Sequence, residues 1–129
     1  MNSVGIIGLG RFGKVLASIL QKGYQISGYD IEEISPLPGI EFHNLEKVLE
    51  EDVIFIAVPI RHFKSLIVDI APRLNKGTTV IDVCSVKSYP TEIMKKFLSQ
   101  DVGIIATHPM FGPDSFLTNK KLKIMMHNV

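Results

Sequence analysis

The segment Gly8-Leu9-Gly10-Arg11-Phe12-Gly13 constrains this chain more than any other. Three glycines at such spacings arise by chance often enough to mean little alone. Here they follow an apolar run, Val4-Gly5-Ile6-Ile7. They also open a stretch in which Phe12, Val15, Leu16, Ile19 and Leu20 recur at helical spacing. Strand, glycine turn and amphipathic helix in that order make a cradle for a diphosphate. Gly8 permits the tight turn, Gly10 lets a ligand approach the backbone, and Gly13 lets the helix pack close to the sheet. The helix N-terminus then offers N–H groups and a positive dipole end to the phosphates. A glycine-rich turn that binds nothing is the competing reading, and the strand–helix context weighs against it.

The rest of the chain repeats the alternation. Strands are expected at 4–8, 24–30, near Ile40-Glu41-Phe42, at 53–58, 78–83 and 103–107, with a last one at 122–126. Between them the spacing predicts helices after Gly10, over 45–50, from Phe63 to Ile70 and from Pro90 to Leu98, with Gly23 as a C-terminal stop and Pro72 bending or restarting the third. The run Val53–Val58 is continuously apolar, as in a strand covered on both faces. This pattern predicts an α/β, Rossmann-type doubly wound and mostly parallel sheet, with right-handed crossovers. The 129 residues are about one domain's length. No linker or repeat divides them.

Composition excludes several partners. The net charge is +1 and there is no Lys/Arg run, which argues against nucleic acid or an anionic membrane as a partner. No basic, then long apolar, segment marks a targeting signal, and no run is long enough to span a bilayer. The single cysteine, Cys84, has no internal disulfide partner, which fits a cytoplasmic setting. The histidines lack metal-ligand spacing, so no metal is expected.

Asp30 ends the second strand, seventeen positions after Gly13. An acid there accepts hydrogen bonds from ribose hydroxyls and repels a 2′-phosphate, so the expected cofactor is NAD rather than NADP. The residues that follow, Ile31-Glu32-Glu33, offer no cation for a 2′-phosphate. A solvated turn aspartate is the plainer alternative. Val58 and Pro59 close the run Ala57-Val58-Pro59 at a strand end beside the expected ligand crevice. A core strand followed by a turn proline accounts for them equally well.

Two polar clusters follow later strands: Asp82-Val83-Cys84-Ser85-Val86-Lys87-Ser88 and Thr107-His108-Pro109-Met110-Phe111-Gly112-Pro113-Asp114. A histidine titrates near neutrality, so His108 suits general acid–base work on a substrate hydroxyl. Ordering a proline-containing loop is the other role open to it. Ser85 can orient that histidine or bond the substrate, although capping a helix is the commoner fate of such a serine. Cys84 reads as a packed residue. Lys87 reads as solvated, or as a counter-charge to a substrate carboxylate. His43, His62 and His127 suggest no chemistry.

Together, the glycine segment, D-V-C-S-V-K and H-P-M-F-G-P resemble the prephenate and arogenate dehydrogenases of tyrosine biosynthesis. The first segment is common to many dehydrogenases; the latter two, in this order, are more specific. The resemblance covers essentially the whole chain, and only the nucleotide-binding half of such enzymes. It implies NAD-dependent oxidative decarboxylation of a small molecule, prephenate or arogenate, with Ser85 and His108 in the active site. In that family a helical C-terminal domain dimerises and supplies further substrate contacts. That domain is expected to be absent here, so the resemblance implies a homodimer or a separately encoded helical partner. Two alternatives stand beside this reading: a related Rossmann dehydrogenase or reductase, and a non-catalytic NAD-binding module.

Overall fold

In a computed structural model, which describes residues 3–32, 39–83 and 88–106, six strands form one fully parallel sheet. In chain order the elements are β1 (Ser3–Ile7), α1 (Arg11–Leu20), β2 (Gln25–Tyr29), β3 (Ile40–Phe42), α2 (Leu45–Val48), β4 (Val53–Ile56), α3 (Ile60–Ile70), β5 (Thr79–Asp82), α4 (Ser88–Phe97) and β6 (Gly103–Ala106). The strand order is β3-β2-β1-β4-β5-β6. The chain builds outward from β1 in one direction, then returns to the other side of β1 with β4. That reversal creates a crevice at the carboxyl ends of β1 and β4.

The apolar runs are continuous because both faces of the sheet are covered. Along β4, Ile54 and Ile56 point into one cluster and Phe55 into the other; in β5, Val80 and Ile81 divide in the same way. This is the period-two alternation of a strand with two dry faces. One cluster packs β-strand residues against Leu16, Ala17 and Leu20 of α1. The opposite cluster packs them against Val48 of α2, Phe63, Ile67 and Ile70 of α3, and Ile93 and Met94 of α4. Phe63, Ile67 and Ile70 are completely buried. Each such side chain contributes roughly 1.5–3 kcal/mol relative to exposure, which fixes the rotation of α3 about its axis. One polar group inside this frame is satisfied far from the crevice: the buried Ser27 hydroxyl donates to Glu51 at 2.7 Å, and Ser3 donates to the same carboxylate.

Element boundaries differ from the sequence expectation in places with clear causes. The first helix ends at Leu20, and Gly23 lies in the turn beyond it without the left-handed backbone of a glycine stop. Tyr24 N–H returns to Leu20 O at 2.9 Å and closes that turn. β4 ends at Ile56 because Pro59 already forms the N-cap of α3. Pro72 does restart the chain, in a 3₁₀ turn over Ala71–Arg73. The short strand at Ile40–Phe42 is present as an edge strand paired with β2. The expected strand at 122–126 lies outside the described residues. Among those described, no helix is long and apolar enough to cross a membrane.

Candidate nucleotide-binding site

Strand register brings one residue from each of five strands into a single row. Ile7 is level with Tyr29 and Ile56, Ile56 with Asp82, and Asp82 with Ala106. The residues just past that row, Gly8, Asp30, Ala57 and Val83, all line one cleft of 990 Å³. Its size is that of a large cofactor site.

Each glycine of the turn has a separate cause. Gly8 has φ +101°, a conformation that side chains rarely adopt, and a Cβ there would lie 2.7 Å from Ala57 O. Its N–H bonds Tyr29 O at 2.8 Å, so the turn is anchored across β2. A Cβ on Gly13 would collide with the carbonyl oxygen of Gly8, so α1 can approach the turn only with glycine there. Gly10 differs: nothing lies within 4 Å of a Cβ built on it. The space above Gly10 belongs to the cleft, and a side chain would fill the cradle. Gly10 is also the N-cap of α1, which has no side-chain cap and no acid in its first turn. Arg11 occupies the first helical position and, with Phe12, lines the cleft. An uncapped, acid-free helix start of this kind favours an anion.

Asp30 stands over this turn. Its carboxylate accepts from Leu9 N–H at 2.7 Å through one oxygen and from Glu32 N–H at 2.9 Å through the other. A carboxylate offers about four acceptor positions. Two are used to hold the group in place, and the partly exposed remainder suits the two hydroxyls of a ribose. Val58 and Pro59 line the cleft opposite, at the start of α3.

Two residues of the turn do not reach the cleft with their side chains. Leu9 is fully buried in the α1-side cluster, where it sits against Gly28. Its contribution to the site is the N–H that fixes Asp30. Gly13 likewise acts from behind, through helix packing. Ser85, Lys87 and His108 lie outside the described residues, as does Cys84. Among the described residues no group of three His, Cys, Asp or Glu is arranged to hold a metal. Sequence reasoning missed the outer wall: Arg61, His62, Ser65, Leu66 and Asp69 of α3 line the cleft as well. The signal was present, since these positions form a stripe beside the buried Phe63, Ile67 and Ile70. A polar helical stripe, however, reads as a solvated face.

Residues 16–121 match the model of the prephenate dehydrogenase nucleotide-binding domain. The chain belongs to that family. The matched stretch begins inside α1, after the glycine turn, so the turn's geometry supports the domain's nucleotide-binding character independently. A protein named as a probable arogenate/prephenate dehydrogenase, from Methanocaldococcus jannaschii, is 34% identical over 119 residues, covering 86% of this chain and 26% of that protein. One named as a probable NADP(+) prephenate dehydrogenase, from Schizosaccharomyces pombe, is 28% identical over 134 residues, covering 96% of this chain and 31% of that protein. The crystal structure of prephenate dehydrogenase from Aquifex aeolicus, in complex with hydroxyphenyl propionate and NAD+, has the same fold. It superposes with a TM-score of 0.71 at 21% identity, over 98% of this chain and 56% of that one. The chain thus spans about a third or less of the length of these two relatives.

Proposed function

We propose that this domain binds NAD and serves the oxidative decarboxylation of prephenate or arogenate. The observation that carries the cofactor half is the Asp30 carboxylate, held by two backbone N–H groups above an open glycine cradle. Gly10 and the start of α1 would take the diphosphate, and Asp30 one ribose. Bound there, NAD supplies a hydride acceptor for the substrate ring C4; the ring carboxylate leaves as CO2, and the electron pair of the broken C–C bond completes the aromatic ring.

The chain's own part in that chemistry falls to two residues. His108 holds or takes the proton of the C4 hydroxyl, and Ser85 orients the histidine or the hydroxyl. Support comes from family membership and from chain position. Val83 lines the cleft two residues before Ser85, and Ala106 ends β6 two residues before His108. Aromatisation drives the reaction, so positioning and polarisation are the main tasks left to the protein. A helical unit of the family's type, in a homodimer or as a separate partner, would complete the substrate site, and a cytoplasmic location suits this role.

Cofactor preference gives the first test. One relative is named for NADP, so the family does not decide the matter. Asp30, followed by Ile31 and Glu32, should make NAD bind at least about tenfold tighter than NADP, because like charges brought together cost several kcal/mol. Asp30→Ser should narrow that gap. Titration of the purified chain with both cofactors, with melting temperature as a control for the lost Leu9 bond, decides it. Equal affinities in the unmodified protein would remove the argument for NAD.

A further inference from the structure

We infer that Asp82 is a positioning residue for the proposed reaction: its buried carboxylate fixes how the chain leaves β5 toward the cleft, and through that placement it sets the position of Ser85. This rests on the reaction proposed above, which uses Ser85 and gives Asp82 no part.

Asp82 closes β5 and is completely buried. It is the one charged side chain among the described buried residues; the other buried polar ones, Ser27, Thr78 and Thr79, carry no charge. Strand alternation fixes where it points. Val80 belongs to the cluster under α3 and α4, while Ile81 and Val83 belong to the opposite one, so Asp82 faces α3 and α4. Its neighbours in the sheet are Ile56 of β4 and Ala106 of β6, and neither offers a polar side chain. Taking a carboxylate wholly out of water is costly, and folds tolerate it only where polar partners hold the group. Asp82 is not without such a partner.

The position of Asp82 in the chain shows what that hold serves. α3 begins four residues after Ile56 and α4 six residues after Asp82, so the N-terminal ends of both helices lie at this end of the sheet. Neither helix has an acid in its first turn, and their positive ends favour a carboxylate here. Val83, the next residue, is buried in the opposite cluster and lines the cleft. Consecutive side chains are thus pinned to the two faces of the sheet where the chain turns toward the ligand. Ser85 follows Asp82 by three residues. Three residues reach at most about 11 Å, so an anchor at Asp82 leaves Ser85 little freedom. An apolar side chain would fill the same space at lower cost. A carboxylate set among apolar neighbours at the border of the cleft therefore serves directional bonding rather than packing.

The test is a double-mutant cycle, read in steady-state turnover of prephenate or arogenate by the domain together with the helical unit that completes it. Asp82→Asn keeps the shape and replaces one acceptor oxygen by a donor. It should lower kcat about fivefold, the scale of one orienting hydrogen bond, with substrate KM and NAD affinity unchanged. Combined with Ser85→Ala it should cost nothing further, because Asp82 acts through Ser85. Asp82→Ser, whose side chain is shorter, should behave in the same way. A parent that turns over neither substrate removes the proposed reaction, and this inference with it. With an active parent, losses that multiply in the double variant to about twenty-fivefold overturn the link to Ser85. A Ser85→Ala variant as active as the parent overturns it too. A fall in melting temperature with kcat unchanged assigns the carboxylate to the fold alone and overturns the positioning role, as does failure of both Asp82 variants to fold.

Discussion

Gly10→Val is expected to abolish detectable NAD binding while leaving the fold intact. Most substitutions in a tight glycine turn damage both, so the separation is informative. At Gly10 the backbone is extended, with φ −73°, and an added Cβ meets no atom within 4 Å. Helix capping should suffer little, because a glycine N-cap without a side-chain bond holds few interactions to lose. The added methyl groups instead occupy the space through which a diphosphate must approach the start of α1. Gly13→Val is the contrasting variant. Its Cβ would strike the Gly8 carbonyl, and neither partner is a flexible side-chain end. Overpacking of that kind costs about 1–3 kcal/mol or more, so α1 must shift and the melting temperature should fall by several degrees. Melting curves and NAD titrations on both variants read the difference. Retained NAD affinity in Gly10→Val would place the phosphates elsewhere.

The same turn shows what the sequence could and could not reveal. Its three glycines, the apolar strand before it and the helical period after it are all local patterns, and each corresponds to an element in the fold. The role of Leu9 is not local. Its side chain fits where Gly28, on a neighbouring strand, has none, and its N–H finds a carboxylate twenty-one positions away. Neither relation is visible until β1 and β2 are paired. The buried core was legible for a similar reason. Ile54, Phe55 and Ile56 need only alternate to fill two dry faces, and an unbroken apolar run announces that both faces are dry.

The α3 wall was hidden by the opposite effect. Ser65 and Asp69 carry the residue types of any solvated helix face, and only the cleft between α3 and the end of β2 separates them from one. Edge geometry also decided the fate of the Ile40–Phe42 strand, which is short and partly exposed and makes sense only as the outermost partner of β2. Secondary structure was therefore readable wherever a period marked it. The site was readable only where a motif concentrated it within a few residues.

His108→Asn should lower turnover of prephenate or arogenate by roughly a hundredfold or more, the usual scale for loss of a general acid–base group. The expectation follows from where the residue stands in the chain and in the family. β6 ends at Ala106, level with Asp82 in the row that borders the cleft, and His108 follows by two residues in the H-P-M-F-G-P segment. The reaction requires the C4 hydroxyl to be polarised while hydride leaves the same carbon, and imidazole is the side chain whose proton affinity suits that near neutrality. Asparagine keeps a hydrogen-bonding side chain of similar reach but cannot exchange a proton, so the variant removes the chemistry with little change of shape. NAD affinity should stay near the parent value, because the proposal assigns the imidazole to the substrate and the phosphates to the start of α1. Ser85→Ala should cost less, on the scale of one orienting hydrogen bond, about 1 kcal/mol. Steady-state kinetics in a preparation that turns over prephenate or arogenate, with cofactor titration alongside, separates the cases. A fall in turnover with unchanged NAD affinity assigns the proton to His108. Unchanged turnover would return the histidine to ordering its loop and leave the proposed reaction without a base in this domain.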